Sequence, residues 1–196
     1  MLYEIHRYPA ELIDVVRLGG GQRVVIRPVL PQDADLTSAF FRNLSSPSRY
    51  DRFMTPMREL PPGLVERFTH VDHADHVALV AEVFVAGRET VIAEARYVRT
   101  DADAAEFAVS VAEAWQGQGL ASLMLRKLAC RATTAGVRRL VGETLASNVR
   151  MLSLARKAGF RVAASPDVAG VMLLEKPLGS LLSANPCGES ASAMAA

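Results

Sequence analysis

The 196-residue sequence contains only two cysteines, Cys130 and Cys187, and its charges nearly balance, with 22 Lys and Arg against 21 Asp and Glu. Two cysteines cannot build the multi-disulfide framework of a small secreted domain, and their spacing matches no zinc-binding pattern. A net charge of +1 argues against electrostatic binding of nucleic acid, for which a basic excess is typical. We therefore expect no bound metal and no nucleic-acid partner.

Long hydrophobic runs are also absent, since no apolar stretch approaches the roughly 18 residues of a membrane span. The first dozen residues, which include Glu4, Arg7, Pro9 and Glu11, do not have the pattern of a signal peptide. We therefore expect a cytoplasmic protein without membrane association, present as a monomer or a homodimer.

Half of the residues are hydrophobic, and a chain of this length typically folds as one compact domain. We expect a single domain over residues 1–176, with residues 1–21 as an N-terminal extension that contributes a hairpin strand. Residues 177–196 present no periodic apolar face, so they are predicted to form a flexible tail.

Runs of β-branched residues bounded by Gly and Pro predict strands, and apolar residues at helical spacing predict helices. The predicted strands are Glu11–Leu18, Arg23–Val29, Val77–Val85, Thr90–Val98, Glu106–Val111, Arg139–Thr144, Phe160–Ala163 and Val168–Leu174. Four helices are predicted: one capped by Asp33, one that begins at Pro61-Pro62, one between Gly119 and Gly136, and one between Asn148 and Gly159. This order predicts an α/β fold, a mixed sheet with helices on both faces.

The most informative stretch is the loop Gln116-Gly117-Gln118-Gly119-Leu120-Ala121, which joins a strand to a long helix. Its glycines permit close approach of a ligand, and the helix N-terminus contributes about half a positive charge. This favours a phosphate or pyrophosphate site without a lysine. A dinucleotide-binding turn would need glycine at Ser122, and a P-loop would need Gly-Lys-Ser/Thr. A tight turn without a ligand remains the alternative.

The spacing Gln116-x-x-Gly119-x-Ala121 resembles the Gln/Arg-x-x-Gly-x-Gly/Ala signature of the GNAT acyl-CoA N-acyltransferase superfamily, and Asn148-x-x-Met151-x-x-Leu154-x-x-x-x-Gly159-Phe160 resembles its last helix and the strand after it. A narrower resemblance is to bacterial Pat-type protein-lysine acetyltransferases. It rests on Ser48-Arg49-Tyr50-x-Arg52-Phe53, Arg67-Phe68-Thr69 with Asp72, Glu106-Phe107-Ala108, Val141-Gly142-Glu143 and Met151-Leu152. The likeness covers about residues 8–176. It implies a GNAT-like fold, with a mostly antiparallel mixed sheet and a splayed acyl-CoA cleft.

The resemblance further implies an acetyl-CoA-dependent N-acetyltransferase that acts on a protein lysine by direct transfer. Because a lysine amine has a pKa of about 10.4, a general base must remove its proton, and the resemblance assigns this role to Glu106. Burial is expected to raise the pKa of Glu106 and strengthen it as a base. The alternative is that Glu106 is a solvated residue at the end of its strand, next to Asp101 and Asp103. The implied acetyl-CoA-binding residues are Ala108, Val109, Ser110, Val111, Gln116, Gly117, Gln118, Gly119, Leu120, Ala121, Ser122 and Asn148. Asn148 has an alternative role as a helix cap.

Asp72, His73 and Glu143 are predicted to contact the acceptor. The alternative for Glu143 is an ion pair with Arg138 or Arg150. The dense run His70-Val71-Asp72-His73-Ala74-Asp75-His76 superficially suggests a metal site, but its spacing fits no helical pair of ligands.

One position departs from the wider family, because Ala155 stands where many members have a tyrosine that protonates the leaving thiolate. A thiol pKa of about 8.5 allows the thiolate to leave without much help. Two other functions stay open: acetylation of a small amine, and non-catalytic sensing of acyl-CoA.

Overall fold

The computed structural model describes residues 8–179, which form one eight-stranded sheet with helices on both faces. The strands are β1 (Asp14–Arg17), β2 (Arg23–Pro28), β3 (His76–Val85), β4 (Arg88–Arg99), β5 (Ala104–Val111), β6 (Arg139–Leu145), β7 (Arg161–Ala164) and β8 (Val171–Pro177). The helices are α1 (Ala34–Asn43), α2 (Ser46–Phe53), α3 (Pro62–Thr69), α4 (Leu120–Thr134) and α5 (Val149–Lys157). All predicted strands and helices are present, and α2 is additional.

The strand order is β1-β2-β3-β4-β5-β6-β8-β7. Every neighbouring pair is antiparallel except β5 and β6, which run parallel. This arrangement confirms the predicted mixed, mostly antiparallel sheet, and it places the single parallel pair near the centre.

Two hydrophobic clusters attach the helices to the sheet. On one face α4 packs through Leu120, Met124 and Leu128, which recur at helical spacing and are buried against Tyr97. On the other face, aromatic side chains of α1 and α3 pack over β3. Burial on both faces explains why β3 is apolar along most of its length rather than alternating.

Helix α2 was not predicted, although its N-terminus carries recognisable signals. The Ser45 hydroxyl accepts a hydrogen bond from the Ser48 N–H (3.2 Å), and Pro47 lies in the first turn. The Arg49 side chain donates hydrogen bonds to the carbonyls of Met57 (2.9 Å) and Arg42 (3.0 Å), which connects α2 to the segments on either side of it.

Asp33 does not cap α1 with its side chain as predicted. Its carboxylate instead accepts hydrogen bonds from the Leu30 N–H and from the guanidinium of Arg27, both at 2.7 Å. Arg27 also pairs with Glu82 on β3 (2.9 Å). Asp33 and Arg27 together therefore connect β2 and β3 to the start of α1. These tertiary contacts outweigh the local preference of Asp for capping the helix.

The last strand extends beyond residue 176, the predicted end of the domain. Pro177 completes β8, and the Leu178 N–H donates to the Arg138 carbonyl (2.7 Å). The rest of the predicted tail, residues 180–196, lies outside the described residues. Within residues 8–179 no helix has the length and apolar character needed to cross a bilayer, and no group of three or more His, Cys, Asp or Glu is arranged to hold a metal ion.

His76 at the start of β3 makes stability depend on pH. Burial lowers its pKa to about 4, and the charge of Arg96, which donates to its Nε2 (3.1 Å), acts in the same direction. An unfolded histidine titrates near 6.5, so stability is lost as pH falls from about 6.5 to about 4. We expect the free energy of unfolding to fall by about 1–1.5 kcal/mol between pH 6.5 and 4.5. This is about half of what the full pKa shift would give, because the ring is partly exposed and solvent screens its charge.

Urea unfolding across this pH range tests the contribution of His76. The variant His76→Gln is expected to show a shallower decline of the free energy of unfolding than the unaltered protein. If the free energy of unfolding declined equally with falling pH in the two proteins, His76 would not be the source of the pH dependence.

Candidate active site

The cleft begins where β5 and β6 separate. The two strands pair at only three positions, the last of them Glu106 with Val141. Beyond that point Phe107–Val111 and Gly142–Leu145 have no pairing with each other. Because alternate peptide groups of a strand face its two neighbours, the β6-facing groups of this part of β5 lack a strand partner among residues 8–179. They line a cavity of about 980 Å³.

Phe107 and Gly142 lie at the origin of the splay. A Cβ atom on Gly142 would come within 3.0 Å of the Phe107 ring and 3.3 Å of its carbonyl oxygen. The ring packs instead against Phe160, with 4.7 Å between centroids. A side chain at position 142 would therefore disturb the point at which the strands diverge.

The glycine loop lies at one end of this cleft. Gly117 and Gly119 have φ values of +75° and +82°, which disfavour any residue with a Cβ atom. Gly119 is the N-cap of α4, so the unpaired N–H groups of the first turn and the helix dipole favour an anion there. A Cβ on Gly117 would meet no protein atom within 4 Å, so the loop backbone is open to a ligand.

Glutamine side chains hold this loop in place. Gln116 Nε2 donates to the Val111 carbonyl (2.8 Å), and Gln116 Oε1 accepts a hydrogen bond from Arg150 at the start of α5. Gln118 Nε2 donates to the Ala114 carbonyl (3.2 Å). The motif glutamine therefore connects the loop to the end of β5 and to the helix on the opposite side of the cleft.

Most of the predicted site residues line this single cavity. They are Glu106, Ala108, Val109, Ser110, Val111, Gln116, Gly117, Gly119, Leu120, Ala121, Ser122, Glu143 and Asn148. Gln118 lies in the loop but is not among the residues that line the cavity.

Glu106 is the last residue of β5 that pairs with β6, and it lies at the base of the splay. Its side chain is exposed, so the expected burial of this carboxylate is wrong. Glu143, two residues beyond Val141 on β6, shares the sheet face of Glu106 and is also exposed. The alternative ion pair of Glu143 is wrong as well, because Arg138 pairs with Asp103 (3.1 Å) and Arg150 contacts Gln116.

Helix α2 packs across the same region and contacts both β5 and β6. Ser48, Asp51 and Arg52 of this helix line the cavity. The sequence analysis assigned them no role in the site, although Ser48 and Arg52 belong to the segment that carries the Pat-type resemblance. Their spacing of three and four residues, which places them on one helix face, was the available signal.

A buried ion pair lies beside this end of the cleft. Glu94 and Arg96 on β4 are only 2% and 5% exposed and pair with each other. Arg96 also donates to the Phe68 carbonyl (3.2 Å), and its guanidinium carbon lies 3.5 Å from the Phe68 ring centroid. Burial lowers the pKa of Arg96, whereas the charge of Glu94 raises it. Glu94 Oε2 is buried and has no hydrogen-bond partner among the described residues.

Asp72 and His73 are not brought to the cleft. The Asp72 carboxylate accepts hydrogen bonds from three backbone N–H groups, those of Ala74, Asp75 and His76, at 2.8–2.9 Å. The His73 carbonyl accepts a hydrogen bond from Arg131, in the last turn of α4 (2.7 Å). The cavity lies at the other end of that helix, so these two residues shape a turn and do not face the site.

Asn148 acts as the N-cap of α5, because its Oδ1 accepts the Met151 N–H at 3.0 Å. It also lines the cavity.

We expect Asn148→Ala to lose about 1 kcal/mol of stability, whereas Asn148→Asp keeps a hydrogen-bond acceptor and retains that stability. Thermal unfolding together with acetyl-CoA titration separates the two roles. If the side-chain amide binds the coenzyme, Asn148→Asp is as stable as the unaltered protein but binds acetyl-CoA more weakly. An unchanged affinity for acetyl-CoA would mean that Asn148 serves only as the helix cap.

Comparison with known proteins agrees with this geometry. Residues 23–161 match the acetyltransferase (GNAT) domain family. The acetyltransferase PA5475 of Pseudomonas aeruginosa is 30% identical over 154 residues, 78% of this chain and 83% of that protein. The acetyltransferase Pat of Mycolicibacterium smegmatis is 34% identical over 146 residues, 74% of this chain, but the match spans only 43% of that protein.

A solved structure extends the comparison to the fold. The GNAT domain of S. lividans PAT superposes with a TM-score of 0.80 at 35% identity, covering 88% of this chain and all of that domain. The fold and the family match together place the chain among the acetyltransferases. The chain belongs to the GNAT acetyltransferase family, which confirms the predicted fold class and enzyme class.

Proposed function

We propose that the chain transfers the acetyl group of acetyl-CoA to the side-chain amine of a protein lysine, with Glu106 as general base. One observation carries the proposal: a single continuous cleft connects the glycine loop to the carboxylate of Glu106. Cytoplasmic location, and a monomeric or homodimeric state, are part of the same proposal.

The residues of the cleft fit coenzyme A. The backbone amides from Gly117 to Ala121 would hold the diphosphate, since unpaired N–H groups at a helix N-terminus favour an anion. The β6-facing peptide groups of Ala108–Val111 would bind the pantetheine arm in the manner of an added strand. Asn148, on the opposite side of the cleft, would contact the same arm. Acetyl-CoA supplies the activated acyl group as a thioester.

Glu106 would accept the proton that the lysine amine must lose, directly or through one water. The amine lone pair forms the new C–N bond, and the C–S bond breaks with its electron pair remaining on sulfur. Ala155, at the usual position of the acidic tyrosine, is fully buried and offers no proton. A thiol pKa of about 8.5 lets the thiolate leave near neutral pH. Direct transfer requires no covalent enzyme intermediate.

The rim of the cleft supports a large cationic acceptor. Asp51, Glu106 and Glu143 line the cleft with carboxylates that attract an ammonium group. Met54, which directly follows α2 and lines the cavity, is 37% exposed, and Tyr50 on α2 is 44% exposed. Exposed apolar side chains next to a charged pocket suit a macromolecular surface. The Pat-type resemblance points to the same acceptor.

Incubation with labelled acetyl-CoA tests the acceptor. The protein is mixed with a denatured-protein library, with a cell lysate and with a panel of polyamines and amino acids; Glu106→Gln serves as the inactive control. Labelled lysines found by mass spectrometry, absent with the control variant, are the expected result. Label found only on small amines would show that the acceptor is a small amine and not a protein lysine. Binding without transfer to any amine would favour the sensor alternative.

A further inference from the structure

Arg52 is a cation in the cleft without an ion pair or hydrogen bond among residues 8–179. It lies on α2 and lines the cavity that also contains Glu106. The residue as a whole is partly exposed, but its Nε is buried and has no hydrogen-bond partner. Its guanidinium carbon lies 5.1 Å and 5.7 Å from the ring centroids of Phe53 and Phe68. The guanidinium therefore lies close to two aromatic rings.

The surroundings do not neutralise this charge by contact. Burial lowers the pKa of Arg52, and the carboxylates of Glu94 and Glu106 partly offset this through their charge alone. Glu94 is already paired with the buried Arg96, so Arg52 has no carboxylate of its own there. A buried donor without an acceptor destabilises the folded protein. The buried Nε is out of reach of a ligand in the cleft, so a ligand oxygen would accept a hydrogen bond from a terminal nitrogen of the guanidinium.

The charges around Arg52 indicate which ligand oxygen would accept its hydrogen bond. Asp51, Glu106 and Glu143 line the same cavity and would repel a ligand carboxylate. A thioester carbonyl is neutral when it binds and gains negative charge only as the amine attacks. A fixed cation with a low-dielectric surround favours that development of charge.

We propose that Arg52 donates a hydrogen bond to the carbonyl oxygen of the acetyl thioester and stabilises it during transfer. This inference rests on the proposed function. It adds a side-chain donor to a cleft in which the β5 peptide groups are proposed to bind the pantetheine arm. It also gives α2, which packs across the splay, a part in the reaction.

The test compares two coenzyme A compounds that differ only at this oxygen. Acetyl-CoA carries the carbonyl, whereas S-ethyl-CoA, a thioether, has a methylene in its place. Titration calorimetry without acceptor gives both dissociation constants for the unaltered protein, for Arg52→Met and for Arg138→Met. Arg138 is an exposed arginine paired with Asp103 outside the cleft, so its substitution controls for the loss of a positive charge.

The unaltered protein and Arg138→Met are expected to bind acetyl-CoA about ten-fold more tightly than S-ethyl-CoA, as a hydrogen bond to a charged group provides. In Arg52→Met the preference falls at least five-fold, while the affinity for S-ethyl-CoA changes less than two-fold. Should Arg52→Met fail to fold, Arg52→Lys decides: it keeps the charge with altered geometry and is expected to lose about three-fold of the preference.

An unchanged preference in the Arg52 variants, or an equal loss of both affinities, would overturn the inference and leave Arg52 as a structural residue. Failure of the unaltered protein to bind either compound would instead reject the proposed function, and the inference with it. The comparison therefore distinguishes the two failures.

Discussion

Replacing Glu106 with Gln is expected to lower kcat for acetyl transfer by about 10²–10⁴, the range typical of a general acid or base. The amide keeps the size of the carboxylate but cannot accept the amine proton. Because the side chain lies at the base of the splay, away from the glycine loop, the dissociation constant of acetyl-CoA should change less than two-fold. Steady-state kinetics with the identified lysine acceptor and calorimetric titration measure the two quantities.

Glu143→Gln is the matched control for this prediction. It removes a carboxylate on the same face and across the same cleft, so it reproduces the loss of one negative charge. A role in attracting the acceptor predicts a higher KM with little change in kcat. Equal losses of kcat in the two variants would contradict the assignment of Glu106 as the base.

Gly117→Ala is expected to weaken acetyl-CoA binding by at least ten-fold. The new methyl group meets no protein atom within 4 Å, so it projects into open space beside the loop backbone that we propose binds the diphosphate. The positive φ also strains any residue with a Cβ atom by about 1–2 kcal/mol. Calorimetric titration and thermal unfolding report the two effects separately.

Gly136→Ala separates strain from ligand contact. Gly136 follows the other end of α4, with φ +79° and no atom within 4 Å of a built Cβ. Its substitution carries the same backbone penalty but lies outside the cavity. We expect both variants to lose similar stability and only Gly117→Ala to lose affinity; equal affinities would reject the proposed position of the diphosphate.

The periodic elements and the glycine loop could be predicted because local sequence determines them. Alternating or continuous β-branched runs gave the strands, and Leu120, Met124 and Leu128 gave the spacing of α4. Positive φ at Gly117 and Gly119 is a requirement that glycine meets at low cost, so the motif identifies the turn before any tertiary contact is known.

Helix α2 was missed because its eight residues contain only two aromatic side chains, too few to establish a helical period. Tertiary contacts hold it instead. The Glu113 carboxylate accepts the Ser45 N–H (2.9 Å). Burial raises the pKa of Glu113, but hydrogen bonds from Ser45 and Ser48 outweigh it and bring the pKa to about 2. The sequence does not reveal a contact between residues 68 positions apart.

The acceptor side was predicted least well for a related reason. Asp72 and His73 are chemically versatile, but three backbone N–H groups occupy the carboxylate of Asp72. The residues that do line the cleft there, Asp51 and Arg52, lie in α2, the helix that was not predicted. Which polar residue faces a cleft depends on the packing of α2 across β5 and β6, a non-local property.

Calorimetric titration of the unaltered protein with acetyl-CoA tests the central claim most directly. The account predicts one saturable site per chain, with an affinity that Gly117→Ala reduces and Gly136→Ala preserves. Absence of binding at millimolar acetyl-CoA, or binding that is indifferent to Gly117→Ala, would contradict it.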